Sequence, residues 1–352
     1  MDIKKILELC VQYQASDVHL LVGTPPMIRL HGKLLSVPET TVITPAIATE
    51  LINPILSEQQ RELVQVDREL DFSYALPTGA RFRVNVYYEK GNLAAALRYV
   101  PTEIKSLETL GLPQILGELT SLKQGLVLMT GPTGHGKSTS LAAMIERINL
   151  ERSEHIITIE DPVEFVYTPK KSLISQRELH ADTHSWSVAL RSVLREDPNV
   201  VLIGEMRDYE TIESALTIAE TGHLVFATLH TNSAAQTIDR IVDVFPEQQQ
   251  QQIRSQLSLS LEAVVSQRLL PSIDGTRTAV AEILLATSAV RSLIRDGKTH
   301  MLVNTMQTAS EAGMKTFEMA LAEAYKQGKI TLPVAREYAQ NLDELNRLVG
   351  AR

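Results

Sequence analysis

Residues 131–138 read GPTGHGKS and fit the phosphate-binding pattern G-x-x-x-x-G-K-[ST] at every fixed position. A short apolar run, GLVLMT, comes directly before them, and the segment after them has the periodicity of a helix. Glycines in such a loop let backbone N–H groups approach phosphates without interference from a Cβ atom, and the helix N-terminus adds partial positive charge. The alternative is a chance glycine-rich turn, but the position between a strand and a helix favours a nucleotide-binding site.

The loop supplies the predicted nucleotide ligands. Lys137 is expected to reach the β- and γ-phosphates, and the hydroxyl of Ser138 is expected to ligate Mg²⁺. The full predicted set covers the loop and the residue that follows it: Gly131, Pro132, Thr133, Gly134, His135, Gly136, Lys137, Ser138 and Thr139. A nucleotide with Mg²⁺ is therefore the predicted ligand.

Downstream of the loop, strand patterns alternate with helical patterns. Strands are predicted at residues 155–160, 199–205 and 224–230, and helices lie between them at 186–195 and 209–220. Strands that alternate with helices predict a parallel sheet covered on both faces. The predicted fold class is therefore α/β.

The first hundred residues have a different pattern. An amphipathic helix opens the chain, and helical spacing returns around residues 44–64. The remainder consists of short strand candidates punctuated by Gly and Pro. They are SDVHLLV, PMIRLHGKLLSV with a His31–Gly32 turn, LDFSYAL, ARFRVNVYYE and NLAAALRYV. We expect a small α+β domain with an antiparallel meander.

These patterns predict the domain organisation. Residues 1–100 form the small α+β domain, and residues 101–119 form a linker with a short helix. Residues 120–270 form the nucleotide-binding core. Residues 271–352 form a mostly helical C-terminal part of the same domain, with one hairpin-like stretch at 277–285.

Composition limits the class of protein. A chain of 352 residues that is 44% hydrophobic is long enough to bury the cores of two globular domains. The formal net charge of −8 argues against nucleic acid as the main partner, because phosphate binding needs a basic surface. The single cysteine, Cys10, excludes an intrachain disulfide and a four-cysteine zinc site, and it fits a reducing cytoplasm. No apolar run approaches the roughly 20 residues that cross a bilayer, and the N-terminus has no signal-peptide pattern.

Carboxylates at the ends of predicted strands suggest what happens to the nucleotide. Gly204 stands where the aspartate of a Walker B strand is expected, so Glu205 is the first acidic residue after that strand. A carboxylate there suits the orientation and deprotonation of an attacking water. Glu160, Asp161 and Glu164 follow a strand expected to be adjacent, and carboxylates are suitable Mg²⁺ ligands, directly or through water. The alternative for all of these acids is a solvated surface.

Two histidines bracket the strand pattern LVFATL. His230 ends it, where a neutral imidazole can contact the γ-phosphate or Glu205, although a structural role fits the spacing equally well. His223 begins it, about 20 Å away at roughly 3.3 Å per residue, so the two cannot both touch one phosphate. The residues after His230, Thr231-Asn232-Ser233, are expected to start the next helix.

Four blocks resemble the secretion ATPase superfamily of type II secretion and type IV pili, and most closely its pilus retraction ATPases. They are the Walker A segment GPTGHGKST, the Asp box TIEDPVEF, the atypical Walker B segment REDPNVVLIGEMRD and the His box TGHLVFATLHTNSAAQTIDR. The resemblance extends over nearly the whole chain, from ASDVHL to GMKTFEMAL. It implies a homohexameric ring of PAS-like N-terminal domains and RecA-like ATPase domains. It also implies that hydrolysis of ATP with Mg²⁺ drives pilus disassembly, and hence twitching motility, at the cytoplasmic face of the inner membrane.

The resemblance also implies roles for individual residues. Glu205 becomes the catalytic glutamate, Glu160 and Glu164 assist metal and water, and His230 joins the site. Arginines of the N-terminal domain are implied to reach nucleotide at a domain interface: Arg81, Arg83 and Arg98. Without the resemblance, the RFRVNV segment reads as the solvated face of a strand. The implied partners are the inner-membrane platform protein of the pilus, the pilus machinery and a paralogous retraction ATPase.

Three features separate this chain from some relatives. Assembly ATPases of the superfamily carry a four-cysteine zinc motif and a longer N-terminal extension, so one cysteine and a start directly in the PAS-like domain favour retraction. His135 takes a Walker A position usually filled by Ser or Ala, and we expect its side chain to point to solvent, with altered turnover or nucleotide preference as the alternative. The segment QTASEAGMKT lacks a glycine pair usual in the family. An accessory retraction paralogue and a type II secretion-like ATPase are therefore alternatives.

Two further hypotheses come from other functional classes. One is a RecA-like nucleic-acid motor, which the acidic balance disfavours. The other is a regulator that binds ATP but hardly hydrolyses it. ATPase activity stimulated by DNA would indicate the first, and tight binding with negligible hydrolysis would indicate the second.

Overall fold

The structure is a computed structural model that describes residues 2–30, 32–100 and 103–350. His31 of the predicted His31–Gly32 turn and the first two residues of the predicted linker lie outside the described residues. The chain divides into two compact units. The first comprises residues 1–103 with 164–166, and the second comprises residues 104–163 with 167–352.

The described residues of the first unit form three helices and six strands. In chain order they are α1 Ile3–Gln12, β1 Asp17–Leu20, β2 Met27–Leu30, β3 Lys33–Ser36, α2 Pro45–Ile52, a short 3₁₀ turn at Asn53–Ile55, α3 Glu58–Asp67, β4 Glu69–Ala75, β5 Arg81–Glu89 and β6 Asn92–Val100. The sheet has the order β3-β2-β1-β6-β5-β4, and its pairings are antiparallel. It consists of two three-stranded meanders joined where β1 pairs with β6, which confirms the predicted antiparallel α+β character.

Alternation along β5 fixes the core of this unit. Phe82, Val84 and Val86 are fully buried, and they pack in one cluster with Leu7 and Cys10 of α1. A strand that buries one face in this way leaves its other residues for a polar face. The arginines of β5 therefore lie on the opposite side of the sheet from the core.

The second unit is built on a seven-stranded sheet. Its strands are β7 Gly125–Thr130, β8 His155–Glu160, β9 Leu173–Glu178, β10 Val200–Ile203, β11 Leu224–Leu229, β12 Leu261–Pro271 and β13 Arg277–Leu285. Their order is β13-β12-β7-β11-β10-β8-β9, and the pairings are parallel except for the β12–β13 hairpin. Strands β7, β8, β10 and β11 are almost wholly buried, as continuous apolar runs covered on both faces should be. The predicted mixed α/β fold is confirmed.

Helices connect these strands and form the C-terminal part of the unit. They are α4 Ile115–Leu119, α5 Lys137–Glu151, α6 Trp186–Val193, α7 Tyr209–Glu220, α8 Ala234–Asp243, α9 Glu247–Ser260, α10 Ser288–Arg295, α11 Leu302–Thr308, α12 Phe317–Lys326, α13 Leu332–Tyr338 and α14 Leu342–Val349. The predicted helix start after His230 is confirmed, because the Ser233 hydroxyl accepts a hydrogen bond from the backbone N–H of Gln236. In the described ranges, no helix is both long and apolar enough to cross a membrane.

Two strands differ from the sequence-based prediction. Strand β9 has the polar sequence LISQRE, and strand β12 follows α9 without an intervening turn residue. Strand β9 lacks the apolar alternation by which strands are usually found, and no Gly or Pro marks the start of β12. The prediction of mostly helices after Phe245 therefore missed β12. The predicted domain boundary at residue 270 falls inside this strand.

Candidate nucleotide-binding and hydrolysis site

The parallel strands carry the predicted site residues to one edge of the sheet. The phosphate-binding loop follows β7, Glu205 follows β10, His230 follows β11, and Glu160 is the last residue of β8. Because β8, β10, β11 and β7 are parallel neighbours, their carboxyl ends lie together. Ligands of open α/β sheets bind at such an edge. The predicted adjacency of the strand that carries Glu160 to the strand that precedes Glu205 is confirmed.

The glycines of the loop are required by its conformation. Gly131 has φ +135°, and a Cβ atom there would lie 2.2 Å from the carbonyl oxygen of Gln267 on β12. Gly134 and Gly136 have φ of +79° and +81°, in the left-handed region that favours glycine. Another residue at Gly131 would therefore clash with β12, and one at Gly134 or Gly136 would strain the backbone.

Lys137 is buried at the start of α5 and folds back onto the loop. Its Nζ donates to the carbonyl oxygens of Gly131 at 2.8 Å and Pro132 at 3.1 Å. The same Nζ lies 3.4 Å from Nδ1 of His230. The ammonium group is therefore held beside the backbone that the phosphates of a nucleotide would approach.

His230 connects the loop to Glu205. Its Nδ1 lies 3.3 Å from the Thr133 hydroxyl as well as close to Lys137, and its Nε2 lies 3.2 Å from Oε1 of Glu205. An ammonium group can only donate, so Nδ1 accepts and the proton of a neutral imidazole is on Nε2, where it can be donated to the carboxylate. The structure therefore forms a continuous polar chain from Lys137 through His230 to Glu205.

Glu205 is held between Arg207 and His230. Its Oε2 lies 2.8 Å from a terminal nitrogen of Arg207, and His230 contacts its other oxygen. Partial burial acts to raise the pKa of Glu205, but the hydrogen bonds from Arg207 and His230 and the positive charge of Arg207 outweigh it and lower the pKa. Glu205 is therefore ionised at neutral pH, as a proton acceptor must be.

Gly204 explains the absence of the expected aspartate. A Cβ atom at Gly204 would lie 3.2 Å from Cα of Glu160 and 3.3 Å from the carbonyl oxygen of Ile159. The hydroxyl of Thr228 on β11 also donates to the Gly204 carbonyl oxygen at 2.5 Å. A side chain at this position would therefore be in tight contact with the backbone of β8, which would have to shift by a few tenths of an ångström to accept it.

The backbone of Glu160 lies closest to the position of a Cβ atom at Gly204. It is buried, and its Oε1 accepts hydrogen bonds from the Thr158 hydroxyl at 2.7 Å and the Gln176 amide at 3.5 Å. Mg²⁺ is usually held by one or two carboxylate or hydroxyl oxygens, with substrate phosphates and water completing its shell. The Ser138 hydroxyl on α5 and the Glu160 carboxylate have this chemistry. Within the described ranges, no group of three or more His, Cys, Asp or Glu side chains forms a metal-binding cluster.

The remaining predicted site residues lie in the first unit. Arg83 on β5 is opposite Arg98 on β6 in the antiparallel register. Arg98 donates through Nε to Oδ1 of the buried Asp17 at 2.9 Å. This hydrogen bond does not use the terminal nitrogens of Arg98, and the side chain is 71% exposed. Arg83 lies 4.0 Å from the exposed Asp71. The two guanidinium groups therefore belong to one polar face of this sheet.

Arg81 and Glu164 complete the predicted set. Arg81 begins β5 and is half-buried, with Ala75 and Val100 as its register partners. Glu164 groups with the first unit, whereas Glu160, four residues earlier, belongs to the second. The catalytic roles of Arg81, Arg83, Arg98 and Glu164 stay predictions.

Sequence reasoning missed three side chains that shape the site. Arg207 pairs with Glu205, and its place two residues after that glutamate was an available signal. Glu178, a buried residue at the end of β9, accepts the backbone N–H of Val163 at 3.1 Å and so holds the segment after Glu160. Gln267 contacts the phosphate-binding loop from β12. Neither Glu178 nor Gln267 was detectable because their strands were not predicted.

The expectation that His135 points to solvent is wrong. Its side chain is half-buried, and its Nδ1 accepts the backbone N–H of Leu269 at 3.0 Å. The reason is that β12 extends past the end of β7 and lies beside the loop. His135 is therefore a contact between the loop and the sheet.

Comparison with known proteins agrees with this architecture. Residues 1–276 match the family described as type II/IV secretion system protein. The chain belongs to this family. It is 46% identical over 340 residues to the type IV pilus retraction ATPase PilT of Pseudomonas aeruginosa, covering 97% of this chain and 98% of that protein. It is 49% identical over 324 residues to a twitching motility protein of Neisseria gonorrhoeae, covering 91% and 86% of the two chains.

A solved structure extends the similarity to three dimensions. The crystal structure of the pilus retraction motor PilT with bound ADP superposes on this chain with a TM-score of 0.93 at 46% identity, and the match covers 99% of each chain. The sequence-based resemblance to pilus retraction ATPases is confirmed by these comparisons. The family assignment therefore covers both units of this chain.

Proposed function

We propose that this protein is a hexameric ATPase motor that hydrolyses ATP to drive type IV pilus retraction, and with it twitching motility. The observation that carries the proposal is the polar chain Lys137–His230–Glu205 beside the phosphate-binding loop. It supplies a cation for the phosphates, a carboxylate for the attacking water and a residue that contacts both. The similarity to PilT over the full chain supports retraction as the task.

The proposed domain identities follow the same reasoning. We assign the second unit to the RecA-like P-loop ATPases and the first to the PAS-like domains. The order of the second sheet supports the RecA-like assignment, because β11 lies between the loop strand β7 and the strand β10 that precedes Glu205. The helices packed on a single antiparallel sheet support the PAS-like assignment.

In the proposed reaction, Glu205 orients a water molecule and accepts its proton as the water attacks the γ-phosphorus of ATP. The bond between the γ-phosphorus and the bridging oxygen breaks, and ADP leaves with the electron pair. The loop backbone and Lys137 bind the phosphates and balance the charge that develops in the transition state. His230 already contacts both Lys137 and Glu205, so arrival of the γ-phosphate changes the hydrogen bonds of all three. Mg²⁺, held by the Ser138 hydroxyl and by Glu160 directly or through water, would neutralise phosphate charge. Glu164 is proposed to assist metal and water.

The site is proposed to be shared between subunits of a homohexamer. Arg83 and Arg98 present guanidinium groups on one polar face of the first unit, and Arg81 begins the same strand as Arg83. Such arginines, supplied to the phosphates from a separate domain, can contribute about 10³–10⁵ in rate. Hydrolysis would then be coupled to movement between domains, which is what a motor requires.

The proposed location is the cytoplasmic face of the inner membrane, where the motor contacts the platform protein of the pilus. A paralogous retraction ATPase is a further proposed partner, and nucleic acid is not. The formal net charge of −8 supports the exclusion of nucleic acid, since phosphate-backbone binding depends on clustered Lys and Arg.

The proposal is tested in a strain that lacks its own retraction motors and receives this chain alone. Retraction of fluorescently labelled pili is expected with the wild-type chain and not with Lys137→Ala. Retraction that appears only when a second retraction ATPase is present would instead identify an accessory paralogue. ATPase activity that requires DNA would replace the proposal with a nucleic-acid motor.

A further inference from the structure

The phosphate-binding loop is anchored to the neighbouring strand β12 by side chains outside the loop pattern. Strand β7 pairs with β12 only as far as Thr130 opposite Ser266. Strand β12 continues to Pro271, so its last residues run beside the loop instead of beside a strand. Backbone groups on that edge of β12 have no strand partner from β7 and must be satisfied by the loop.

His135 satisfies one of these groups. The backbone N–H of Leu269 donates to Nδ1 of His135 at 3.0 Å. The Gln267 side chain, also on β12, donates through Nε2 to the carbonyl oxygen of His135 at 2.9 Å. The Gln267 amide oxygen accepts the Ser140 hydroxyl of α5 at 2.7 Å, so one buried amide bridges the loop and the helix. The second half of the loop is therefore fixed by two hydrogen bonds that β12 donates to His135.

The protonation state of the imidazole suits this role. Burial lowers the pKa of His135, and the positive charges of Arg268, Lys137 and Arg277 lower it further. A neutral imidazole that accepts at Nδ1 carries its proton on Nε2. At neutral pH the ring is therefore in the form that can accept the hydrogen bond from the Leu269 N–H.

We propose that His135 is a positioning residue that holds the phosphate-binding loop against β12 in the conformation that receives the nucleotide. The residue is not part of the fixed loop pattern, and a side chain without an acceptor would leave the Leu269 N–H unsatisfied. If the loop adopts its nucleotide-binding conformation for only a fraction of the time, its apparent affinity for nucleotide is reduced by that fraction. This inference rests on the proposed nucleotide site, and it adds a residue that sets the affinity of that site.

The test compares three variants in the full-length protein. His135→Leu removes the acceptor, whereas His135→Asn keeps a non-titrating carbonyl oxygen in nearly the place of Nδ1. His300→Leu is the matched control, because it exchanges an exposed histidine of the same unit. The dissociation constant for Mg·ADP is measured by calorimetry at pH 7.5, and hydrogen exchange of the peptide that contains Leu269 is measured without nucleotide.

We expect His135→Leu to raise the dissociation constant about tenfold, which corresponds to the loss of one hydrogen bond and an unsatisfied donor. His135→Asn and His300→Leu are expected to stay within about threefold of wild type, since a lone conservative or exposed change has small effects. The Leu269 amide should exchange faster only in His135→Leu. The inference is overturned if His135→Leu binds Mg·ADP as tightly as wild type, or if His135→Asn binds as weakly as His135→Leu. Wild-type protein that binds no nucleotide would instead refute the proposed site itself.

Discussion

Replacing Glu205 with glutamine removes a negative charge while leaving the shape of the side chain unchanged. The amide oxygen can still accept a hydrogen bond from Arg207 or His230, so the contacts at 2.8 and 3.2 Å need not both be lost. The amide cannot accept the proton of an attacking water. Loss of a positioned general base costs about 10²–10⁴ in rate, or roughly 3–5 kcal/mol of barrier.

The same change should cost little stability. The side chain of Arg207 is 70% exposed, and exposed ion pairs contribute at most about 1 kcal/mol. The phosphate-binding loop and Lys137 are untouched by the substitution. We therefore expect Glu205→Gln to bind ATP within about threefold of wild type while its kcat falls by at least about 10²-fold.

The assay combines phosphate release at saturating ATP with calorimetric titration of ATP and a thermal melt. Arg207→Gln serves as the matched variant, because it removes the ion pair and keeps the carboxylate. Its kcat should fall less than about tenfold, since it removes only a hydrogen-bond partner of the base. The assignment is refuted if Glu205→Gln retains more than a tenth of wild-type turnover, or if Arg207→Gln loses as much as Glu205→Gln.

Three further predictions concern other parts of the chain. Lys137→Ala should abolish both tight ATP binding and hydrolysis, measured by calorimetry and phosphate release, and near-normal binding would contradict the role of Lys137. Burial raises the pKa of Glu282 to about 7, although the hydrogen bond from the backbone N–H of Ala234 acts to lower it. The folded protein therefore keeps a proton that the unfolded chain loses at lower pH, and its stability falls as the pH rises through 7. The unfolding free energy of Glu282→Gln, measured by urea denaturation, should therefore rise by about 2 kcal/mol relative to that of wild type between pH 5.5 and 8.5. If the difference between the two proteins is the same at both pH values, Glu282 does not titrate in this range. Arg83→Ala and Glu205→Gln should each be nearly inactive alone. When they are mixed and exchange subunits, part of the ATPase activity should return. If exchange is demonstrated and no activity returns, Arg83 does not act between subunits.

Much of the fold was predictable because several of its strands are recognisable in the sequence. Strands β7, β8, β10 and β11 are apolar runs that end in the loop, Glu160, Gly204-Glu205 and His230, so both the strands and their functional ends could be found. The loop pattern and the Ser233 cap are local signals that depend on few neighbours. Such features follow from backbone conformation and burial alone.

The missed features depend on contacts between distant parts of the chain. Strand β12 begins directly after α9, so no turn residue marks it, and the partner of His135 could not be foreseen without it. Gly204 was recognised as a departure from the Walker B pattern, in which an aspartate is expected. The physical reason for glycine, the close approach of Glu160 and Ile159 from β8, is visible only in the structure. One partner of Glu160, the Gln176 amide, lies on the unpredicted β9 and depends on the pairing of β8 with that strand.

The central claim is that ATP turnover at Glu205 drives pilus retraction. The most direct measurement is the speed of retraction of single labelled pili in a strain whose only retraction motor is this chain, compared with the turnover of each purified protein. We expect retraction to be lost in Glu205→Gln together with hydrolysis, and to be retained in Arg207→Gln in proportion to its remaining turnover. Retraction at wild-type speed in Glu205→Gln, with its hydrolysis abolished, would contradict the account.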